Sequence, residues 1–457
     1  MKIIILGAGQ VGSNLAEHLV REGNDLTVVD LDAEKLSALQ DRFDLRTICG
    51  QASNPAILQQ AGAGDADMLV AVTLNDETNM VACKLAGTLF NIPTKIARIR
   101  AIEYMKYPEL FNPENFGVDH VIAPEQEITD YLRKLIDYPE ALQVVDFGGG
   151  RARLVAMKAR AGGPLVGHEL RDLQKHLPGL DARVAAIFRR DRTIVPEGRT
   201  VIQDSDEIFF IAATENIRAV MKELRRGDKS VRRVMIAGGG NIGQRLAKSL
   251  EADYEVKIID RNKKNTQRLA NILKSTLVLT GDATDEDLLL EENIEDMDVF
   301  CALTNDDEDN IMSSLLAKRL GAKKVIALIN RSTYVDLLQG GEIDIALSPA
   351  QATIGPLLTH IRRGHMAVVH SLRRGAAEAL EAVVHGDAKA SKLVGRRIEE
   401  VDLPEGVSIG AILRGEQVII AHHDNVIEAE DHLILFVPNK RMIPKVEKLF
   451  QVGLGFF

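Results

Sequence analysis

Short apolar runs alternate with amphipathic stretches over two long parts of the chain. "KIIILG", "DLTVVD", "RTICG" and "MLVAVT" are aliphatic, β-branched runs bounded by Gly, Asp or Thr, the pattern of short buried strands. Between the first two lies "GSNLAEHLVREG", with Leu15, Ala16, Leu19 and Val20 at helical spacing and Gly23 as a C-terminal stop. Strands and helices in alternation predict a parallel sheet covered on both faces. A second kind of segment follows. "RLVAMKA", "ARVAAIFR", "TIVP" and "EIFFIA" are separated by turns rich in Pro, Gly and Asp, which predicts a small α+β module without a catalytic constellation.

Both kinds of segment occur twice. "KIIILGAGQVGSNLAEHLVREGNDLTVVD" (Lys2 to Asp30) is echoed by "RVMIAGGGNIGQRLAKSLEADYEVKIID" (Arg233 to Asp260), and "VIAPEQ" (Val121 to Gln126) by "ALSPAQ" (Ala346 to Gln351). "PLVGHELRDL" near Gly167 matches "KLVGRRIEEV" near Gly395. Self-similarity over this span predicts a tandem duplication of a two-domain unit, A-B-A′-B′. A length of 457 residues fits several domains.

Composition narrows the function class. Apolar residues make up 46% and charged residues 27%, which suits several globular cores. No run approaches the ~20 apolar residues of a spanning helix, and "MKIIILGAGQ" runs from a strand into a glycine turn rather than reading as a signal peptide. A cytoplasmic location is therefore the expectation. Cys49, Cys83 and Cys301 are too far apart to form a pair motif, so no structural metal is expected. A net charge of −10 and the absence of Trp argue against a nucleic-acid binder. The basic run Arg225 to Arg233 reads as a solvated linker.

The chemistry lies in the glycine turns. Gly7, Gly9 and Gly12, in "GAGQVG" with Ala8, Gln10 and Val11, match Gly238, Gly240 and Gly243, in "GGGNIG" with Gly239, Asn241 and Ile242. The first glycine permits the strand-to-helix turn, the second lets a pyrophosphate approach, and the third allows close helix packing. The helix then offers unpaired N–H groups to phosphate. Asp30 lies 18 residues after Gly12 and Asp260 lies 17 after Gly243. A carboxylate there accepts from both ribose hydroxyls and repels a 2′-phosphate, which favours NAD(H), ATP or ADP over NADP(H).

Thr73 and Thr304, at the ends of the fourth strands, are candidate phosphate or ribose neighbours, and "NDETN" there also reads as helix capping. In the fifth strand Arg98 and Arg100 correspond to Leu328 and Asn330. An arginine fork there can pair with terminal phosphates, so the two sites are expected to differ in charge. His360, His365 and His370 recur every five residues, a spacing that fits neither one helical face nor a metal pair, and they are read as structural. His422 and His423 are read as surface residues beside a turn.

The doubled "GAGQVG…VVD" and "GGGNIG…IID" units, each followed by a module carrying "LVG", resemble tandem RCK (regulator of potassium conductance, or KTN) units over essentially the whole chain. The resemblance implies two Rossmann-like, doubly wound parallel-sheet domains, each followed by a small α+β module. The expected boundaries are 1–124 and 231–349 for the nucleotide-binding domains, 125–140 and 350–367 for connecting helices, and 141–227 and 368–453 for the modules. It also implies a regulatory subunit on the cytoplasmic face of the bacterial inner membrane, bound to a potassium-translocating membrane subunit of the TrkH or TrkG type. Such units form rings, here from a homodimer or a homotetramer, and gate ion permeation in response to NAD(H), ATP or ADP. The nucleotide contacts implied are Gly7 to Val11, Asp30, Thr73 and Arg98, with Gly238 to Ile242 and Asp260 in the second unit. A regulator of another cation channel or antiporter is the alternative. An NAD-dependent oxidoreductase is a further one, but the modules offer no convergent acid or base for it.

Overall fold

A computed structural model describes residues 1–190, 192–225, 230–338, 341–361, 366–373 and 376–452. Four sheets account for the architecture. The first holds β1 (Lys2–Leu6), β2 (Asp25–Asp30), β3 (Arg46–Cys49), β4 (Met68–Ala71), β5 (Thr94–Arg98) and β6 (His120–Ile122) in the order β3-β2-β1-β4-β5-β6. All its pairings are parallel. Strand order reverses at β1, so β2 and β4 flank it and open a crevice at its carboxyl end, where open α/β sheets bind ligands.

The second sheet is antiparallel: β7 (Ala141–Phe147), β8 (Ala152–Lys158), β9 (Ala182–Arg189), β10 (Arg192–Ile194) and β11 (Glu207–Ala213), in the order β10-β9-β11-β8-β7. The third repeats the first with β12 (Arg233–Ala237), β13 (Glu255–Asp260), β14 (Leu277–Thr280), β15 (Val299–Ala302), β16 (Lys324–Leu328) and β17 (Ile345–Leu347), ordered β14-β13-β12-β15-β16-β17. The fourth repeats the second with β18 (Met366–Leu372), β19 (Ala377–Val383), β20 (Ser408–Arg414), β21 (Gln417–Ile420) and β22 (His432–Val437), ordered β18-β19-β22-β20-β21. The fold class expected from the repeat is thus the one observed. The strands β7 and β18, which open each module, carry no clean alternation and were absent from the expected set.

The chain divides into two compact units. One comprises residues 1–128 with 329–332 and 347–361; the other comprises 129–328, 333–346 and 362–457. Within the first unit the helix Pro349–Ile361, from the second half of the sequence, packs against the helix Gln10–Arg21 and against β6. Its His360 ring stacks on His120 of β6 with centroids 3.9 Å apart.

Within the second unit, the two antiparallel sheets share one core. Phe147, Leu154 and Phe209 from one meet Ala377, Leu413 and Phe436 from the other, all buried. Each module repeats one polar device. Arg189 makes two 2.8 Å bonds to the buried Asp206, and Arg414 makes two 2.8 Å bonds to the buried Asp431. These bidentate pairs hold the strand ends on either side of the turn that enters β11 or β22.

The helix Pro124–Asp137 ends on a buried cation in the second unit. Lys324 Nζ donates to the carbonyls of Leu135, Pro139 and Ala141 at 3.2, 2.8 and 3.1 Å, so it satisfies one acceptor of the last turn and two of the chain that leaves it. Burial pushes the Lys324 ammonium down to about 8.

The histidines are structural where described. His370 is half-buried, packs edge-on against Phe147 and hydrogen-bonds the Asp146 carbonyl at 2.8 Å. His422 pairs with Asp181 at 3.0 Å and His423 is exposed. His365 and residues 226–229 of the basic run lie outside the described residues.

Burial, and then the neighbouring His120, push His360 down to about 4. The unfolded chain titrates near 6.5, so it binds more protons than the folded one between those values. Stability is therefore lost as pH falls from about 6.5 towards 4. Thermal unfolding across this range should show the acid-side loss in the wild type. His360→Phe, which keeps a ring against His120, should flatten it.

Candidate nucleotide-binding sites

Each glycine turn is built by a backbone that only glycine adopts and by a helix that approaches too closely for a side chain. Gly7 has φ +110° and Gly238 has φ +103°, values that L side chains avoid. A Cβ on Gly12 would lie 1.8 Å from the Gly7 carbonyl oxygen, and one on Gly243 would lie 1.9 Å from that of Gly238. Gly9 and Gly240 face open space, with nothing within 4 Å of an added Cβ, so a ligand can reach the backbone there.

The helices that follow are also distinctive at their ends. Asp32, Asn54 and Asn75 cap the neighbouring helices of the first domain with side-chain oxygens, as Asn262, Asp285 and Asp306 do in the second. The helices Gln10–Arg21 and Asn241–Leu250 begin at Gly9 and Gly240 without a side-chain cap. Their first-turn N–H groups, which include those of Gln10, Val11 and Gly12 and of Asn241, Ile242 and Gly243, carry the positive end of the dipole and have no side-chain cap.

The acid at the end of the second strand braces the turn. Asp30 Oδ2 accepts from Ala8 N at 2.6 Å and its Oδ1 from Asp32 N at 2.9 Å. Asp260 repeats this with Gly239 N and Asn262 N, each at 2.8 Å. A carboxylate has about four lone-pair sites, so bracing the turn leaves Asp30 acceptor capacity for a diol, whereas Asp260 also accepts from Asn265 Nδ2 at 2.9 Å and keeps less.

Thr73 and Thr304 adjoin the turns: a Cβ on Gly7 would meet Thr73 N at 3.1 Å, and one on Gly238 would meet Thr304 N at 2.8 Å. Both hydroxyls are held by an asparagine that sequence reasoning did not single out. Asn79 Oδ1 accepts from Thr73 N and Oγ1 at 3.0 and 2.6 Å, and its amide donates to the carbonyls of Thr73 and Arg98. Asn310 does the same with Thr304 and the Leu328 carbonyl. Both asparagines are fully buried. The signal was present as a threonine followed six residues later by asparagine in both halves. The capping reading of "NDETN" also holds, since Asn75 Oδ1 accepts from Thr78 N at 2.6 Å.

Arg98 and Arg100 converge on Glu125 at the start of the helix Pro124–Asp137. Arg100 Nε donates to Glu125 Oε1 at 2.8 Å, and the Arg98 guanidinium lies 3.8 Å from the same oxygen. The Arg98 side chain is only 14% exposed, so it is not an edge arginine. Among the described residues its Nε has no hydrogen-bond partner, and burial lowers its pKa. The second half has Leu328, Asn330 and Ala350 at the corresponding places, and Leu328 and Ala350 are buried.

Comparison with known proteins gives this architecture a family. The TrkA-N domain family matches residues 3–124 and 234–349, and the TrkA-C domain family matches 154–225 and 388–451. A Trk system potassium uptake protein TrkA from Halomonas elongata is 61% identical over 457 residues, all of both chains. One from Vibrio alginolyticus is 58% identical over 99% of each. The chain belongs to the TrkA family. Its fold is shared with more distant solved structures. A crystal structure of the GsuK RCK domain aligns at TM-score 0.60 and 19% identity over 98% of this chain and 94% of that one. The GsuK channel bound to NAD aligns at 0.61 and 18%, over 98% and 78%. The duplicated glycine turns are thus the N-domain feature of a TrkA-family chain.

Two substitutions test the architecture of these turns. Gly12→Ala should push the helix off the turn, because the added Cβ would sit against the Gly7 carbonyl oxygen, and should lower the thermal unfolding temperature of the chain, whereas Gly9→Ala, which meets open space, should leave it unchanged. Asn79→Leu leaves several buried backbone and hydroxyl groups unpaired, and should destabilise the first domain by about 3 kcal/mol in denaturant unfolding.

Proposed function

We propose that the chain is the nucleotide-sensing regulatory subunit of a potassium-uptake system, and that both glycine turns bind NAD(H), ATP or ADP. The observation that carries this is the duplication of a complete site: an uncapped helix N-terminus over an open glycine, braced by a carboxylate with acceptor capacity to spare. It occurs twice in a chain that matches potassium uptake proteins end to end. The GsuK channel, which shares the fold, is bound to NAD in one solved structure.

In this reading Gly7 to Gly12 and Gly238 to Gly243 cradle phosphates, and Asp30 and Asp260 accept from the ribose hydroxyls. Thr73 and Thr304 line the phosphate side. Arg98 and Arg100 meet the distal phosphate of the first site. The unpartnered Nε of Arg98 supports this, because a buried guanidinium without its full set of acceptors is matched to an incoming anion. The nucleotide is a signal rather than a reactant.

Its output is the gating of a membrane potassium-translocating subunit of the TrkH or TrkG type, through a ring of such units on the cytoplasmic face. No helix among the described residues is long and apolar enough to cross a membrane, so in this reading association is peripheral. A nucleotide shifts a gate only through unequal affinity for its two states, typically ~1–3 kcal/mol per site. Several sites per ring can sum to the ~5.5 kcal/mol that inverts a population.

Calorimetric titration of NADH, NAD, ATP and ADP into wild type, Asp30→Ala and Asp260→Ala is the test. Each substitution should weaken binding at its own site at least tenfold, and NADH should be recovered unconsumed. Unchanged binding in both variants would remove the ribose-diol assignment. Sustained substrate-dependent NADH oxidation would sink the regulatory reading.

A further inference from the structure

The two halves differ at three matched positions around the crevice. Leu31, Gln51 and Thr78 in the first correspond to Arg261, Asp282 and Asp309 in the second. In the second half these three side chains form one network. Arg261 donates to Asp309 Oδ2 at 2.8 Å and to Asp282 Oδ1 at 2.9 Å. Asp282 is itself fixed by the Thr284 amide and hydroxyl at 2.8 and 2.7 Å.

The placement of the network matters. Arg261 directly follows the bracing Asp260 at the end of β13, and Asp282 follows β14 by two residues. Asp309 sits in the first turn of the helix Asp307–Arg319, after β15. Because β13 and β15 flank β12, the guanidinium joins elements on both sides of the strand that carries the glycine turn. The first half has no such bridge. There, Leu31 is 71% and Leu74 is 79% exposed at the ends of β2 and β4, and the residue matching Leu74 is Asn305. Two exposed aliphatic side chains on the strands flanking a ligand crevice suit the face of an apolar, planar base.

We propose that Arg261, held by Asp282 and Asp309, is a latch across the adenosine end of the second site, and that it sets the difference in adenine-nucleotide affinity between the two sites. This rests on the reading of both turns as nucleotide sites. The first site is open, with Leu31 and Leu74 receiving the base. The second admits a base only when the guanidinium leaves its carboxylates. Two exposed ion pairs correspond to about a tenfold penalty in affinity. All three latch side chains are at least one-third exposed, so salt screens the latch and the penalty shrinks as ionic strength rises.

ADP is the probe, titrated into the full chain at low and high KCl. Asp260→Ala reports the first site and Asp30→Ala the second. The second site should bind about tenfold more weakly than the first, and the gap should narrow with KCl. Arg261→Leu in the Asp30→Ala background should tighten the second site about tenfold and remove the narrowing. Asp309→Asn, which cuts one ion pair and leaves Arg261 in place, should tighten it about threefold and serves if the double variant does not fold. Equal affinities in the two single variants, or unchanged or weaker binding on loss of Arg261, would overturn the latch. Absence of ADP binding to the wild type would instead overturn the nucleotide reading beneath it.

Discussion

The Gly7 carbonyl and the Gly12 Cα are packed so closely that no side chain fits between them, and the rest of the first domain is arranged around that contact. It fixes the direction of the helix Gln10–Arg21 relative to β1. The helix N-terminus then faces the crevice formed by the reversal of strand order. Asp30 holds the loop from the β2 side through the Ala8 amide, and the β4 end, organised by Asn79, closes the other side. Four elements are thereby locked around one patch of backbone. Preorganisation of this kind lowers the cost of binding an anion, because the N–H groups need not reorient when it arrives. Gly243 and Gly238 impose the same constraint on the second domain.

Duplication preserved the cradle and changed its rim. The glycines, the bracing acid, the threonine and the buried asparagine are common to both copies. The residues that face outward from that frame are not. Along the fifth strand and at the start of the connecting helix, Arg98, Arg100 and Glu125 give way in the sequence to Leu328, Asn330 and Ala350. After the second and third strands and in the helix after the fourth, Leu31, Gln51 and Thr78 give way to Arg261, Asp282 and Asp309. Frame residues answer to backbone geometry, which both copies share. Residues outside that frame are not held to it, and there the copies have diverged.

The small modules follow a different logic. Each has a twisted antiparallel sheet too small to bury its own apolar face, and the two faces meet in one core. The repeated Arg–Asp pairs at the turns before β11 and β22 keep each sheet's geometry while that core is shared. Removing one partner of such a pair strands a buried charge, which is costly. The modules thus depend on one another for burial while each carries its own polar turn.

What the sequence determined by itself is the set of properties that are local or repeated. Periodicity located β1 to β5 and the helix Gln10–Arg21, though not the short edge strands β6 and β17, and the internal echo disclosed the four-sheet plan. The spacing of glycine and acid identified the cradle, because a positive φ and a close approach leave no other residue available. Tertiary structure decided what depends on partners far apart in the chain. Asn79 became a keystone only when β4 and β5 were laid side by side, and Glu125 became the partner of Arg98 and Arg100 only when the connecting helix began beside β5. The single core of the two modules and the stack of His360 on His120 join residues more than two hundred positions apart. Arg261, read along the chain, is one more surface cation. Its bridge to Asp282 and Asp309 exists only because β13 and β15 are neighbours of the same strand, a fact of topology that no local pattern encodes.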